Sequence, residues 1–117
     1  MKDWPEFTKE IVGHMRTLRG DTPEVMKAFS GLAQAAVAPK ALDSKTKELI
    51  ALGISVAIRC DDCIGFHVKA LVKLGATKAE IEETLGMAIY MGGGPSLMYA
   101  ADAIVARSFA SAWNASP

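Results

Sequence analysis

The chain has 117 residues, half of them apolar and 22% charged, which excludes a disordered segment and leaves length for one domain with its own core. Thirteen basic and thirteen acidic residues cancel, so no broad field is available to attract nucleic acid or an anionic membrane. The longest apolar stretch, residues 49–58, is about half of the roughly 20 residues that a membrane-spanning helix needs.

At the amino terminus, Met1-Lys2-Asp3-Trp4-Pro5 turns acidic and aromatic at once, with no basic lead, hydrophobic run and cleavage site. The expected location is therefore cytoplasmic. Trp4, Phe7, Ile11, Met15 and Leu18 then recur at steps of three and four, predicting an amphipathic helix entered at Pro5 and closed by Gly20. Thr22-Pro23-Glu24 opens a second helix, with Thr22 expected to accept its orphan amides, and Pro39 ends it after about Ala36.

Asp43 or Ser44 caps a third segment through Glu48, Leu49, Leu52, Ile54, Val56 and Ile58. Helix is the preferred reading, although its β-branched residues also suit a buried strand. Cys63, Phe66, His67, Ala70, Leu71 and Leu74 form the stripe of a fourth helix that ends near Gly75, with Asp61 and Asp62 in its first turn. Thr77-Lys78-Ala79-Glu80 is a capping-box signal for a fifth, which stops at a flexible Gly92-Gly93-Gly94 break.

From about Ser96 to Trp113 a last long helix is predicted, charged only at Asp102 and Arg107. A helix apolar around most of its circumference belongs inside something larger than this chain, so self-association is expected, with Tyr99, Phe109 and Trp113 as interface anchors. No linker or tandem repeat divides residues 1–117, which read as a single all-α domain.

The chemistry-bearing motif is Cys60-Asp61-Asp62-Cys63 with His67 four residues on. On a helix, His67 stands one turn beyond Cys63 on the same face and can take its proton or hold its thiolate as an ion pair. Cys60 is near enough to capture an oxidised Cys63 as a disulfide. Which cysteine attacks first stays open on spacing alone: the helix terminus favours a thiolate at Cys60, whereas His67 is nearer Cys63.

The same three residues also suit zinc, with Glu48 as the best fourth ligand, in a structural or binding module. Glu48 begins an apolar stretch. An inward carboxylate there needs a partner, and orienting His67 or returning a proton to a leaving oxygen would supply one; an exposed first-turn glutamate is the plain alternative. Lys45, Lys47 and His14 read as surface residues, and Gly92-Gly93-Gly94 lacks the Lys-Ser/Thr ending of a phosphate-binding loop.

Glu48, eleven intervening residues, the Cys60/Cys63 pair, three more residues and His67 together resemble the redox-active branch of the carboxymuconolactone decarboxylase superfamily, the alkyl hydroperoxidase D-like proteins. Glu48-Leu49-Ile50-Ala51-Leu52-Gly53, Leu74-Gly75-Ala76-Thr77 and Glu82-Glu83 strengthen the likeness, which covers roughly residues 25–107. The resemblance implies an all-helical domain assembling as a trimer or hexamer. It also implies Cys63 as the peroxidatic thiol, Cys60 as the resolving thiol, and Glu48 with His67 as the proton relay. A hydroperoxide would be the substrate and an external dithiol or thioredoxin-like protein the reductant, with no cofactor, nucleic acid or membrane involved. One residue departs from the pattern. The best-known hydroperoxidases carry a histidine just before the second cysteine, where this chain has Asp62, whose charge disfavours the neighbouring thiolate and makes room for slower disulfide exchange.

Overall fold

A computed structural model describes residues 1–117 as seven helices and no strand. They are α1 (Trp4–Asp21), α2 (Pro23–Val37), α3 (Ser44–Ala57), α4 (Asp61–Lys73), α5 (Lys78–Gly92), α6 (Gly94–Arg107) and α7 (Ala110–Ala115). No helix is long and apolar enough to cross a membrane.

Four of the seven helix starts carry side-chain caps, from Asp3, Asp43, Cys60 and Thr77. Asp43 accepts from the Thr46 amide at 2.7 Å to open α3, and Thr77 and Glu80 close a reciprocal capping box at the start of α5. Thr22 behaves differently from expectation. It makes no capping bond to α2, and its hydroxyl donates back to the Leu18 carbonyl, because α1 runs past Gly20 to Asp21 and leaves Thr22 as the only residue between two helices. The β-branched α3 segment is helical, enclosed by α4 and α5 on its inner side.

The core lies among α3, α4, α5 and α6, where Leu52, Val56, Ile64, Val68, Leu71, Ile81 and Leu85 meet Ala100, Ala103 and Ala106. The small alanines let α6 approach its neighbours closely. On the other side of α4, Trp4 of α1 and Trp113 of α7 complete the cluster, both essentially fully buried. Gly65 makes the α1 contact feasible. A methyl group there would come within 2.6 Å of Thr8 Cγ2 and 3.4 Å of the Trp4 ring.

The predicted Ser96–Trp113 helix is in fact two. Ser108 and Phe109 bond back to carbonyls three residues earlier, the chain tightens, and α7 leaves in a new direction. That turn swings Trp113 inward, where its indole N–H donates to the Ala106 carbonyl at 2.8 Å. Trp113 is therefore a core residue and not an interface anchor; Tyr99 and Phe109 pack half-buried against the same core. The glycine triplet is likewise a fixed corner, not a flexible spacer. Gly93 alone separates α5 from α6 at φ 72°, ψ −152°, backbone that only glycine adopts readily, and a Cβ on Gly92 would collide with Ser96.

Helix α2 stands apart, since none of its residues is buried. Its carboxyl end is held by Lys47, whose ammonium donates to the carbonyls of Ala36 and Ala38 at 2.9 and 2.6 Å. Lys47, read from sequence as a surface residue, is thus a helix C-terminal cap.

Candidate active site

The turn from α3 into α4 builds the site. Ile58 caps α3, the Arg59 amide donates to the Val56 carbonyl, and the Cys60 amide donates to the Ser55 carbonyl. This paired pattern is the Schellman closure, which puts its next residue in the left-handed region. Here that residue is Arg59, at φ 61°. The end of α4 repeats the same two bonds with Gly75 at φ 77°.

Cys60 emerges from this turn as the N-cap of α4, and its Sγ accepts from the Cys63 amide at 3.2 Å. Cys60 and Cys63 are joined as a disulfide, with Cα atoms 5.2 Å apart, a separation that permits bridging without backbone movement. The pair sits where the helix presents unsatisfied amides and the positive end of its dipole, a position that favours a thiolate once the bond is reduced.

One turn further along α4, His67 Nδ1 lies 2.7 Å from Glu48 Oε2, which α3 presents from the facing helix. A carboxylate only accepts, so Nδ1 donates and Nε2 is left as the basic nitrogen. Glu48 is the more buried partner, at 14% side-chain exposure against 30% for His67. It is therefore an inward carboxylate with a partner and not an exposed dipole-compensating residue. The four residues singled out in the sequence form two pairs, a bonded sulfur pair at the start of α4 and a hydrogen-bonded acid–imidazole pair whose histidine lies one helical turn after Cys63.

The zinc arrangement finds no support in this geometry. Glu48 is engaged with His67, the two sulfurs are bonded to each other, and no group of three or more His, Cys, Asp or Glu side chains converges as a metal site. His14 is exposed on α1, away from the pair.

One neighbour of the site lay beyond sequence reasoning. Lys2 pairs with Asp61 Oδ2 at 2.6 Å, and the same ammonium lies over the Phe7 and Trp4 rings, 4.1 and 5.0 Å from their centroids. The amino-terminal segment thus reaches the start of α4 from 59 positions away. Asp61 and Asp62 each keep one buried carboxylate oxygen without a hydrogen-bond partner. Only the periodicity of Trp4 and Phe7, as an inward-facing stripe, hinted that anything preceding Thr8 was anchored.

The carboxymuconolactone decarboxylase family pattern matches residues 23–106, from the start of α2 almost to the end of α6. The chain belongs to this family. A crystal structure of a carboxymuconolactone decarboxylase family protein from Legionella pneumophila shares 54% identity with it at a TM-score of 0.91, covering 95% of this chain and 99% of that one. A Thermotoga maritima family member with a suggested part in the antioxidative response is 35% identical at a TM-score of 0.71, covering 79% and 95%. An uncharacterised Cupriavidus necator protein is 42% identical over 82 residues, 70% of this chain and 73% of its own length. In this carboxymuconolactone decarboxylase family chain, α1 and α7 fall outside the matched segment, and they are the two helices that clamp the outer side of α4 through Trp4 and Trp113.

Proposed function

We propose that this protein is a thiol-dependent oxidoreductase of the alkyl hydroperoxidase D-like kind, reducing hydroperoxides or exchanging disulfides through Cys60 and Cys63. The observation that carries the reading is a Cys60–Cys63 disulfide at the N-terminus of the helix that also carries, one turn after Cys63, the His67 of a Glu48–His67 hydrogen bond. The suggested antioxidative part of the Thermotoga maritima relative supports the same chemistry.

In the cycle, His67 Nε2 draws the proton from the Cys63 thiol while Glu48 stabilises the imidazolium through Nδ1. The Cys63 thiolate attacks the outer peroxide oxygen, so that the S–O bond forms as the O–O bond breaks. Two electrons leave sulfur, and the departing alkoxide takes the proton from His67. Cys60 then attacks the sulfenic acid, the S–S bond forms and water leaves. An external dithiol or thioredoxin-like reductant returns two electrons by thiol–disulfide exchange. The order with Cys63 first rests on family resemblance and on the i, i+4 spacing of Cys63 and His67. The chain's own groups suffice for the proton and sulfur steps, so no cofactor is invoked.

Substituting each cysteine tests the order. With an organic hydroperoxide and a small dithiol as reductant, Cys63→Ser abolishes turnover. With the dithiol left out, reduced Cys60→Ser consumes a single equivalent and stalls as a sulfenic acid that a dimedone-type probe captures. Unchanged consumption by folded Cys63→Ser would remove the assigned nucleophile, and sulfenic acid trapped at Cys60 in that variant would reverse the order.

A further inference from the structure

We infer that Lys2 is a positioning residue for the Cys60–Cys63 turn: its ammonium, held over the rings of Trp4 and Phe7, offsets the charge of Asp61 and so favours a thiolate at a turn that carries two carboxylates. Asp61 and Asp62 are the two residues enclosed by the cysteines, so reducing the disulfide places any thiolate formed there beside two negative charges. Each like charge disfavours it, against the pull of the helix start. The two carboxylates are not equivalent. Asp61 Oδ2 takes Lys2 at 2.6 Å, whereas Asp62 makes no ion pair, and each has its Oδ1 buried without a hydrogen-bond partner.

The ammonium is held from more than one side. It lies 4.1 Å from the Phe7 ring centroid and 5.0 Å from that of Trp4, within cation–π reach of both. Trp4 is fully buried and meets Phe7 edge-on at 5.7 Å, so the rings form a fixed seat. The next residue, Asp3, is the N-cap of α1 and accepts from the Glu6 amide at 3.1 Å, which fixes the backbone beside Lys2. An ion pair between two free surface side chains contributes little, because the entropy lost in ordering both offsets the attraction. Here the seat and the cap order the cation, and Asp61 is held in the first turn of α4.

No other cation takes this part. On α3, Lys45 pairs with Glu80, Lys47 caps α2, and Glu48 faces His67. Arg59 in the turn, and Asp102 and Arg107 on α6, make no ion pair, and α7 carries no charged residue. Glu6, Lys9 and Arg16 of α1 border a cavity with Lys69, which lies about two turns along α4 from Asp61. The inference rests on the redox reading for the use of a thiolate at this turn, but its test needs no peroxide.

The experiment alkylates the reduced full chain with iodoacetamide at low ionic strength, from about pH 5 to 9, and follows intact mass. Lys2→Met keeps an apolar stem over the rings and removes the charge. It should react roughly threefold more slowly near pH 7, with the half-maximal rate reached about half a pH unit higher and the rates converging at high pH. Lys2→Arg should keep the wild-type profile. Lys2→Met combined with Asp61→Asn removes both charges and should return the rate to within about twofold of wild type. Both side chains are about one-third exposed, so the Lys2→Met deficit should shrink at about 1 M salt. Helical circular dichroism checks that each variant folds, and Lys2→Gln serves if Lys2→Met does not. A charge-removing variant on the wild-type profile overturns the proposal, as does a loss that persists in the double variant or at every pH, which would make Lys2 a structural contact alone. Peroxide consumption is scored separately: a Lys2 effect on alkylation in a protein that consumes no peroxide upholds this inference and contradicts the peroxidase reading, and consumption with no Lys2 effect does the reverse.

Discussion

Arg59 and Gly75 hold equivalent positions at the ends of α3 and α4, and only one of them is a glycine. The left-handed backbone costs a non-glycine residue about 1–2 kcal/mol, partly offset because glycine loses more freedom on folding, by roughly 0.5–1 kcal/mol. Arg59→Gly is therefore expected to stabilise the protein by about 0.5 kcal/mol, read as a rise in the denaturant midpoint; a lower midpoint would contradict the assignment. Asp62 bears on the proposed chemistry instead. Removing its charge beside Cys63 raises the thiolate fraction, so Asp62→Asn should speed alkylation of the reduced protein near pH 7 by roughly threefold; an unchanged or slower rate would mean that solvent screens this carboxylate from the sulfur. His67→Asn should slow peroxide consumption by about 100-fold at pH 7, and by less at pH 9, where bulk deprotonation replaces the base. A loss independent of pH would show that His67 only supports the structure. The Cys60–Cys63 bond and the Glu48–His67 contact were legible because the cysteines stand three apart and the Glu48 spacing matched a family pattern. Lys2 was not, since nothing local signals a pairing with Asp61 that only the tertiary fold creates.

For the helices, local chemistry marked three starts correctly, although the capping bond expected of Thr22 is absent. Asp43, Pro23 and the Thr77–Glu80 box all mark observed starts. It failed at Ser108, where neither glycine nor proline announces the break and the deciding force is the burial of Trp113 against the core. It also misread the glycine triplet, because a close approach of Gly92 to Ser96 is invisible until both helices are placed. Two predictions belong at this scale. Gly65→Ala should destabilise the protein by about 1–3 kcal/mol by pushing α1 off α4, and adding Thr8→Ala should recover much of the loss, which a double-mutant cycle in urea measures. Additive losses would place the Gly65 constraint elsewhere.

The helix starts also set a pH dependence. The Thr46 amide holds the Asp43 carboxyl below its ordinary value, and Lys45, 2.7 Å from Glu80, does the same for Glu80 and is itself raised by that pairing. A depressed carboxylate contributes stability above its unfolded pKa and loses it as pH falls through its folded value. The α3 and α5 starts should therefore weaken below about pH 4. The raised Lys45 contributes below its unfolded pKa and is lost as pH rises through its folded one, above about 10.5. Glu80→Gln should flatten the acid limb of a stability–pH curve, and an acid limb identical to wild type would show that the pair is fully screened.

Across the whole molecule, α4 is the organising element. Its buried face meets α3 and α6, its outer side carries the Trp4 and Trp113 clamp, and its first turns present the sulfur pair and His67. The carboxyl-terminal segment is tied to the same helix, with Lys69 and Lys73 both donating to Ser116. The all-helical fold was legible from periodicity. The surface expected to drive association was not, because an apolar sequence does not say which of its residues the chain's own core will take. Trp113 went to the core, and exposed large apolar side chains lie on α2, α3 and α5 as well as at Leu97 and Met98 of α6. The central claim is that Cys63 and Cys60 form a working redox couple. The most direct measurement reacts fully reduced, metal-free protein with one equivalent of an organic hydroperoxide and follows peroxide loss and intact mass under denaturing conditions, in wild type and Cys63→Ser. The account predicts rapid peroxide loss with a mass lower by two hydrogens in wild type and neither change in the variant; folded wild type that consumes no peroxide and forms no disulfide would contradict it.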